Sequence, residues 1–314
     1  EGDFKYAKKL VKLAITTGVD VIKLQLYSGD QLVSKFQSQK RYKHFKKFEL
    51  TKTQHIYLAN LCKSKGVKYL ASVWDLDMLE WIDKFLPFYK IGSGDLTAYP
   101  IIKEFAKRGK PIILSTGLSN LDEIKKSVNF LQKENQIYKN KKNLALLQCT
   151  SCYPTIDDEV NLNVINFLRD KTKLTIGYSH HNSGSLALTT AYTLGAEILE
   201  FHFTDNRAGK IFRDHKISLN RDETLILVEN IKRINKLLGS KIKLPTRGEI
   251  RSKNIKTFRR AIYPKRDLKK GHKIQYSDLM FLRPNIGTDA RNYKNIIGKK
   301  IRKKLKKLKA FKFN

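Results

Sequence analysis

Seven times along this chain a short, almost wholly apolar run is followed by a longer amphipathic stretch, and that alternation limits the fold more than any other feature. The apolar runs are VIKLQ (21–25), KYLASV (68–73), FYKIGS (88–93), PIILST (111–116), LALLQCT (144–150), LTIGYS (174–179) and ILEFHF (198–203). Helical periodicity covers 3–17, 51–65, 76–85, 98–108, 120–135, 161–169, 184–194 and 221–238. Strands separated by helices run parallel, and strands apolar along their whole length are buried on both faces. Such a chain forms an open doubly wound sheet or an eight-stranded barrel. The open sheet calls for a glycine-rich phosphate turn after an early strand. Gly92-Ser93-Gly94 comes near, but it lacks the third glycine and does not open a helix. A barrel needs one strand more than the seven seen here. Because the pattern from Gly2-Asp3 is already helical and the first residue is Glu1 instead of Met, that strand is expected upstream.

After about residue 240 the pattern changes. Residues 241–256 read as a polar linker between a large domain, 1–240, and a small, mostly β domain, 257–314. The chain carries 63 Lys and Arg against 29 Asp and Glu, a net charge of +34, yet 41% of it is hydrophobic, which excludes a disordered basic protein. The lysines read as spread along the whole length, as a compositional background would place them, so a nucleic-acid partner is not expected. The exception is KKIRKKLKKLKAFK (299–312), with nine basic residues and with Ile301, Leu305 and Leu308 at helix-like spacing. It reads either as a contact for a polyanion or membrane surface or, more simply, as a solvated basic face. No apolar run approaches the roughly 20 residues of a membrane helix, so no membrane span is expected. The three cysteines are too few for a disulfide framework, and a cytoplasmic location is expected. The C-x-x-C spacing of Cys149 and Cys152 lacks a second pair and reads as incidental.

Polar residues fall where the apolar runs end: Lys23 and Gln25, Ser72, Lys90 and Ser93, Ser115 and Thr116, Thr150, Ser179 and His181, Glu200 and His202. In a β/α barrel the C-terminal strand ends form the active-site face. Lys23 and Lys90 lie inside otherwise apolar strands, where a charge must be paired or bind an anion. Two lysines among hydroxyls suit phosphate or carboxylate. His181 and His202 follow consecutive strands, so they serve either as ordinary polar residues or as two ligands of an open divalent-metal site.

KIGSGDLTAYPIIKEFAKRGKPIILSTGLS (90–119), LLQCTSCYPT (146–155), IGYSHHNSG (176–184), ILEFHFT (198–204) and RDHKISL (213–219) resemble the sialic acid synthase family. RRAIYPKRDLKKG (259–271) and FLRPNIG (281–287) resemble the antifreeze-like, or SAF, domain that follows such barrels. The resemblance implies an α/β fold, a (β/α)8 TIM barrel without its first strand, followed by the small mostly-β domain. It implies an enzyme that condenses phosphoenolpyruvate with N-acetylmannosamine or a related acylamino sugar and releases phosphate. A legionaminic or pseudaminic acid synthase using a diacetamido sugar is the alternative, and a non-catalytic or nucleic-acid-binding relative is a further one. By position, Lys23, Ser72, Lys90, Ser93, Ser115 and Ser179 hold phosphoenolpyruvate, with Ser151 near the phosphate. Gln25, Trp74, Tyr153 and Asp214 surround the sugar, and His181 and His202 bind a divalent metal, usually manganese, with magnesium or cobalt as substitutes. Glu200 stands beside the metal, where proton transfer is open to it. Arg283 reaches the sugar's acyl group in the partner subunit, which implies a swapped homodimer. Three departures stand out: the family's first strand with its Asn-His pair is not in this sequence, His180 replaces a usual Asp, and Ser72 replaces a Thr. A chain of this extent is therefore expected to lack part of the site.

Overall fold

In the computed structural model, which describes residues 2–313, seven parallel strands follow one another in space in the order of the sequence. They are β1 (Val21–Leu26), β2 (Lys68–Val73), β3 (Tyr89–Ile91), β4 (Ile112–Ser115), β5 (Leu144–Cys149), β6 (Thr175–Ser179) and β7 (Leu199–Glu200). β1 and β2 pair with each other; β3 to β7 form a second hydrogen-bonded group in strict sequence order. β2 lies against β3 and joins the two groups. A doubly wound sheet would reverse its strand order at some point, and this one never does. Every connection therefore turns the same way, which rolls the wall into a barrel with its helices outside.

The seam between β7 and β1 is closed by side chains. Lys23 of β1 reaches Glu200 of β7 at 2.7 Å. Outside it, the first helix, Phe4–Ile15, meets the segment after β7. Lys9 Nζ lies 2.7 Å from Asp205, and the Tyr6 hydroxyl donates to the same carboxylate at 2.6 Å. Arg221, at the start of the helix Arg221–Leu238, donates to the Thr16 hydroxyl at 3.0 Å.

The helices begin where their caps dictate. Asp3 caps the first helix, and reciprocal capping boxes at Thr51/Gln54 and Asn120/Glu123 open Lys52–Ser64 and Leu121–Glu134. Leu58 and Leu131 on these helices, and Ile102 and Phe105 on the helix Tyr99–Arg108, are buried against the outer side of the strands, where Ile112, Leu114, Leu146 and Ile176 are almost fully covered. Four helices of this part were not legible in the sequence: Gly29–Leu32, Gln39–Phe48, Asp157–Val160 and Asp214–Ile217. The second, QKRYKHFKKF, is so lysine-rich that its apolar stripe shrinks to Phe45 and Phe48, too little to show a period.

The chain divides into two units at Leu238/Gly239. In the second, β8 (Ala261–Pro264) pairs antiparallel with β9 (Leu279–Leu282), and Ile262, Leu268, Ile274, Ile296 and Ile301 form the core. Two sequence expectations change here. Within 241–256, read as a linker, the helix Arg247–Arg251 forms and a second, Asn254–Phe258, begins. The helix-like spacing in 299–312 gives no helix. Instead Ile301 enters the core, and Leu305 and Lys300 make antiparallel bridges with Leu268 and Lys273. Residues four apart share a face on a strand as they do on a helix, so the spacing of Ile301 and Leu305 fits both. Among the described residues no helix is long and apolar enough to cross a membrane.

Gly177 of β6 shows how tightly the wall is drawn. A Cβ there would lie 2.5 Å from both the Ile198 carbonyl oxygen and Leu147 Cδ2. Gly177→Ala should destabilise the barrel by about 1–3 kcal/mol, as overpacking does; a denaturation midpoint equal to wild type would show that the strands yield.

Candidate active site

Glu200 is the last residue of β7 and the centre of the site. One carboxylate oxygen pairs with Lys23 Nζ at 2.7 Å. The other accepts from the Ser179 hydroxyl at 2.8 Å and lies 3.5 Å from Lys90 Nζ. Lys90, 5% exposed, also donates to the Ser115 hydroxyl at 2.7 Å and to the Ile91 carbonyl at 3.1 Å. Lys23, Lys90, Ser115, Ser179 and Glu200 thus come from five strands to one cluster. Burial by itself would raise the Glu200 carboxyl; the two lysine charges outweigh it and hold the group far below the usual carboxylate range. Burial pulls Lys90 down, and Glu200 works against that fall.

Gly117, in the loop after β4, forms the next part. Its N–H donates to Ser93 Oγ at 3.0 Å. A Cβ at this position would fall 2.8 Å from that oxygen and 2.4 Å from Ser151 Oγ. Only a glycine lets both hydroxyls converge there.

His181 and His202 stand side by side, with ring centroids 5.4 Å apart. His181 Nδ1 lies 2.7 Å from the Thr150 carbonyl, which can only accept, so Nδ1 carries a hydrogen. Burial lowers this imidazole, but Cys149, the Thr150 carbonyl and the Glu200 charge outweigh it and raise it above its ordinary value. Burial, reinforced by His181 and Lys23, pushes His202 down to about 3 and leaves it neutral. Asp214 Oδ2 is 3.7 Å from His202, and its Oδ1 is buried without a hydrogen-bond partner among the described residues. Burial raises the Asp214 carboxyl. The Tyr153 ring packs 4.1 Å from His181, and the Arg213 guanidinium lies over its other side at 4.6 Å.

Trp74, just after β2, stacks on Tyr27 at 5.5 Å, with Phe45 edge-on at 6.4 Å. Ser72 is buried on β2 in register with Gln25 on β1. Arg283 lies in the second unit, where it donates to the Phe258 carbonyl at 2.7 Å. Sequence reasoning missed three contributors. Phe45 belongs to the unread helix Gln39–Phe48. Arg213 directly precedes Asp214, but its stacking on Tyr153 has no local signal. Cys149 Sγ lies 3.7 Å from His181 Nδ1, so its neighbour in the site is that histidine; Cys152 is exposed.

A divalent metal fits these residues in part. Two imidazoles face one another, His202 neutral and His181 with its ring nitrogen tied to a carbonyl as metal-binding histidines commonly have. Among the described residues no group of three or more His, Cys, Asp or Glu is gathered as a metal cage. Such a pair would leave most coordination positions to water or substrate.

The arrangement defines a β/α-barrel protein whose strand ends join a lysine–carboxylate–hydroxyl cluster to a pair of histidines. Residues 10–243 match the NeuB family and residues 259–309 the SAF domain, and the chain belongs to the NeuB family. It is 34% identical over 313 residues to the N,N'-diacetyllegionaminic acid synthase of Campylobacter jejuni, covering 95% of this chain and 91% of that protein. Human N-acetylneuraminate-9-phosphate synthase is 30% identical over 256 residues, which cover 77% of this chain and 69% of the human one. The structure of the N-acetylneuraminic acid synthetase of Leptospira borgpetersenii, in complex with citrate, superposes with a TM-score of 0.73 at 28% identity, over 81% of this chain and 86% of that one.

Glu200→Gln would leave Lys90 buried without its counter-charge and should cost about 3–5 kcal/mol. The double variant Lys90→Met/Glu200→Gln should recover part of that loss. Because the folded carboxyl lies below its unfolded value of about 4.3, its contribution is complete above that pH and is lost as pH falls toward the folded value. Acid unfolding of Glu200→Gln should accordingly be less steep. Equal stability of the single and double variants would refute the coupling.

Proposed function

We propose that the protein joins carbon 3 of phosphoenolpyruvate to the aldehyde carbon of an open-chain acylamino sugar, giving a nonulosonic acid and inorganic phosphate. The observation that carries this reading is the Lys23–Glu200–Lys90 cluster at the strand ends, with the Ser115 and Ser179 hydroxyls bound into it. Two lysines against one carboxylate leave a net positive charge to hold a carboxylate and a phosphate. The Ser93 and Ser151 hydroxyls that converge on Gly117 are the donors that would meet phosphate oxygens.

In the reaction the C3–C bond forms as the enol phosphate attacks the aldehyde. Water adds at C2, the C2–O bond to phosphate breaks with the electron pair leaving on phosphate, and the C2 hydroxyl loses its proton as the ketone forms. Lys23 and Lys90 fix the anion and balance its charge through these steps. Glu200, so easily ionised, is a weak base; the geometry favours it as the counter-charge that aims both lysines over a role in proton transfer. His181 and His202 would hold a divalent metal, manganese by family resemblance, which when bound supplies Lewis-acid polarisation of the aldehyde oxygen. Tyr153, gripped between His181 and Arg213, and Asp214 flank the sugar, with Trp74 and Gln25 across the mouth. Arg283 from a partner subunit completes the acyl-group contact in a swapped homodimer.

The acceptor is N-acetylmannosamine or a relative of it. A diacetamido sugar is the second reading, favoured by the higher identity and fuller coverage of the legionaminic acid synthase, 34% over 95% of this chain against 30% over 77%.

Phosphate release from phosphoenolpyruvate with manganese and each candidate sugar tests the assignment. Turnover is expected with one acylamino sugar. Lys90→Met should lower kcat/KM by about a hundredfold or more, and His202→Ala should abolish the response to manganese. No phosphate release with any sugar would overturn the reading.

A further inference from the structure

The charge is divided unevenly between the two units. Residues 239–314 hold 25 Lys and Arg against 4 Asp and Glu; residues 1–238 hold 38 against 25. The small unit thus supplies +21 of the chain's +34 from about a quarter of its length. A compositional background would raise lysine and leave acids in both units alike, and it does not remove acidic residues from one of them. The expectation that the lysines are evenly spread is corrected here.

The fold then gathers these cations. Bridges between Leu268 and Leu305 and between Lys273 and Lys300 lay segment 268–273 antiparallel to segment 300–305. Lys269, Lys270 and Lys273 on one side and Lys300, Arg302, Lys303 and Lys304 on the other are all exposed. Lys273 stands directly across from Lys300, a like-charge pairing that disfavours the bridge. The unit's four acids are engaged and leave most of this face uncompensated. Glu249 caps the helix at Thr246, Asp278 is buried on Arg266 and His272, and Asp289 pairs with Arg291. Asp267 alone lies near the face, 3.8 Å from Lys304.

We propose that this face docks the protein on an anionic phospholipid bilayer. Its cations are nearly all lysines, point charges suited to mobile headgroups, where a base-reading surface would favour bidentate arginine. Neither segment contains Phe, Tyr or Trp on which a nucleic-acid base could stack, and neither is a helix that could enter a groove. Beside the face Leu308, half exposed and in a left-handed backbone conformation, is flanked by Lys306, Lys307 and Lys309, which places an apolar side chain among cations as interfacial segments do.

The test is sedimentation of the full chain with phosphatidylcholine vesicles, with and without phosphatidylserine, at low and high salt. Binding should require phosphatidylserine and fade as salt rises. The K300Q/K303Q/K304Q variant should bind about a hundredfold more weakly, from roughly fivefold per lysine. The K125Q/K133Q/K142Q variant, with the same charge change on exposed barrel lysines, should bind within about twofold of wild type. Equal losses in the two variants, no dependence on phosphatidylserine, or tighter binding to duplex DNA or RNA than to vesicles at the same salt would overturn the proposal. None of these readouts involves catalytic turnover, so the proposal stands or falls apart from the synthase reading.

Discussion

One ion-pair cluster holds both the wall and the mouth of the barrel together. β1 and β7 share no backbone ladder among the described residues, and the Lys23–Glu200 pair spans the seam between them. The same carboxylate faces Lys90, which β3 carries into the interior. A lysine buried in a strand is costly unless its charge is answered. Here the answer comes from a strand on the far side of the ring, so the charge can be satisfied only when the barrel is closed.

The rest of the mouth is arranged around that cluster in layers of decreasing rigidity. Ser115 and Ser179 are strand residues locked to Lys90 and Glu200. Ser93, Gly117 and Ser151 belong to the loops just beyond the strand ends, and His181 is steadied by the Thr150 carbonyl. Farther out, Phe212 stacks on His44 of the helix Gln39–Phe48, so two long connections meet in an aromatic contact. This order places the ion pairs deepest and the aromatic contacts outermost.

Much of this was legible in the sequence because strands buried on both faces cannot hide a polar residue. Lys90 was visible as a break in a buried apolar run; Lys23 broke an apolar run too, although β1 leaves Lys23 and Gln25 exposed, and the convergence of polar strand ends followed from parallel strands alone. What sequence could not supply was pairing across the ring. Nothing local says that Glu200 meets Lys23 and Lys90 at once, or that Arg213 covers Tyr153. The helix Gln39–Phe48 was hidden by its lysines. The stretch 299–312 misled for a geometrical reason, since residues four apart share a face on strand and helix alike.

His180 bears on the same electrostatics. It is fully buried beside His181, packs its ring edge-on to Tyr178, and has no hydrogen-bond partner for either nitrogen among the described residues. Burial, reinforced by His181, pushes it down to about 4, so the ring is neutral near pH 7. An aspartate in this position would place a second carboxylate on the residue next to Ser179, which donates to Glu200, or demand a partner of its own. The neutral imidazole costs two unmet hydrogen bonds but adds no negative charge, and it leaves the lysine excess of the mouth intact. Its effect on the charge balance reaches the whole mouth, because Coulomb interaction is long-ranged, while each unmet hydrogen bond is felt at one atom.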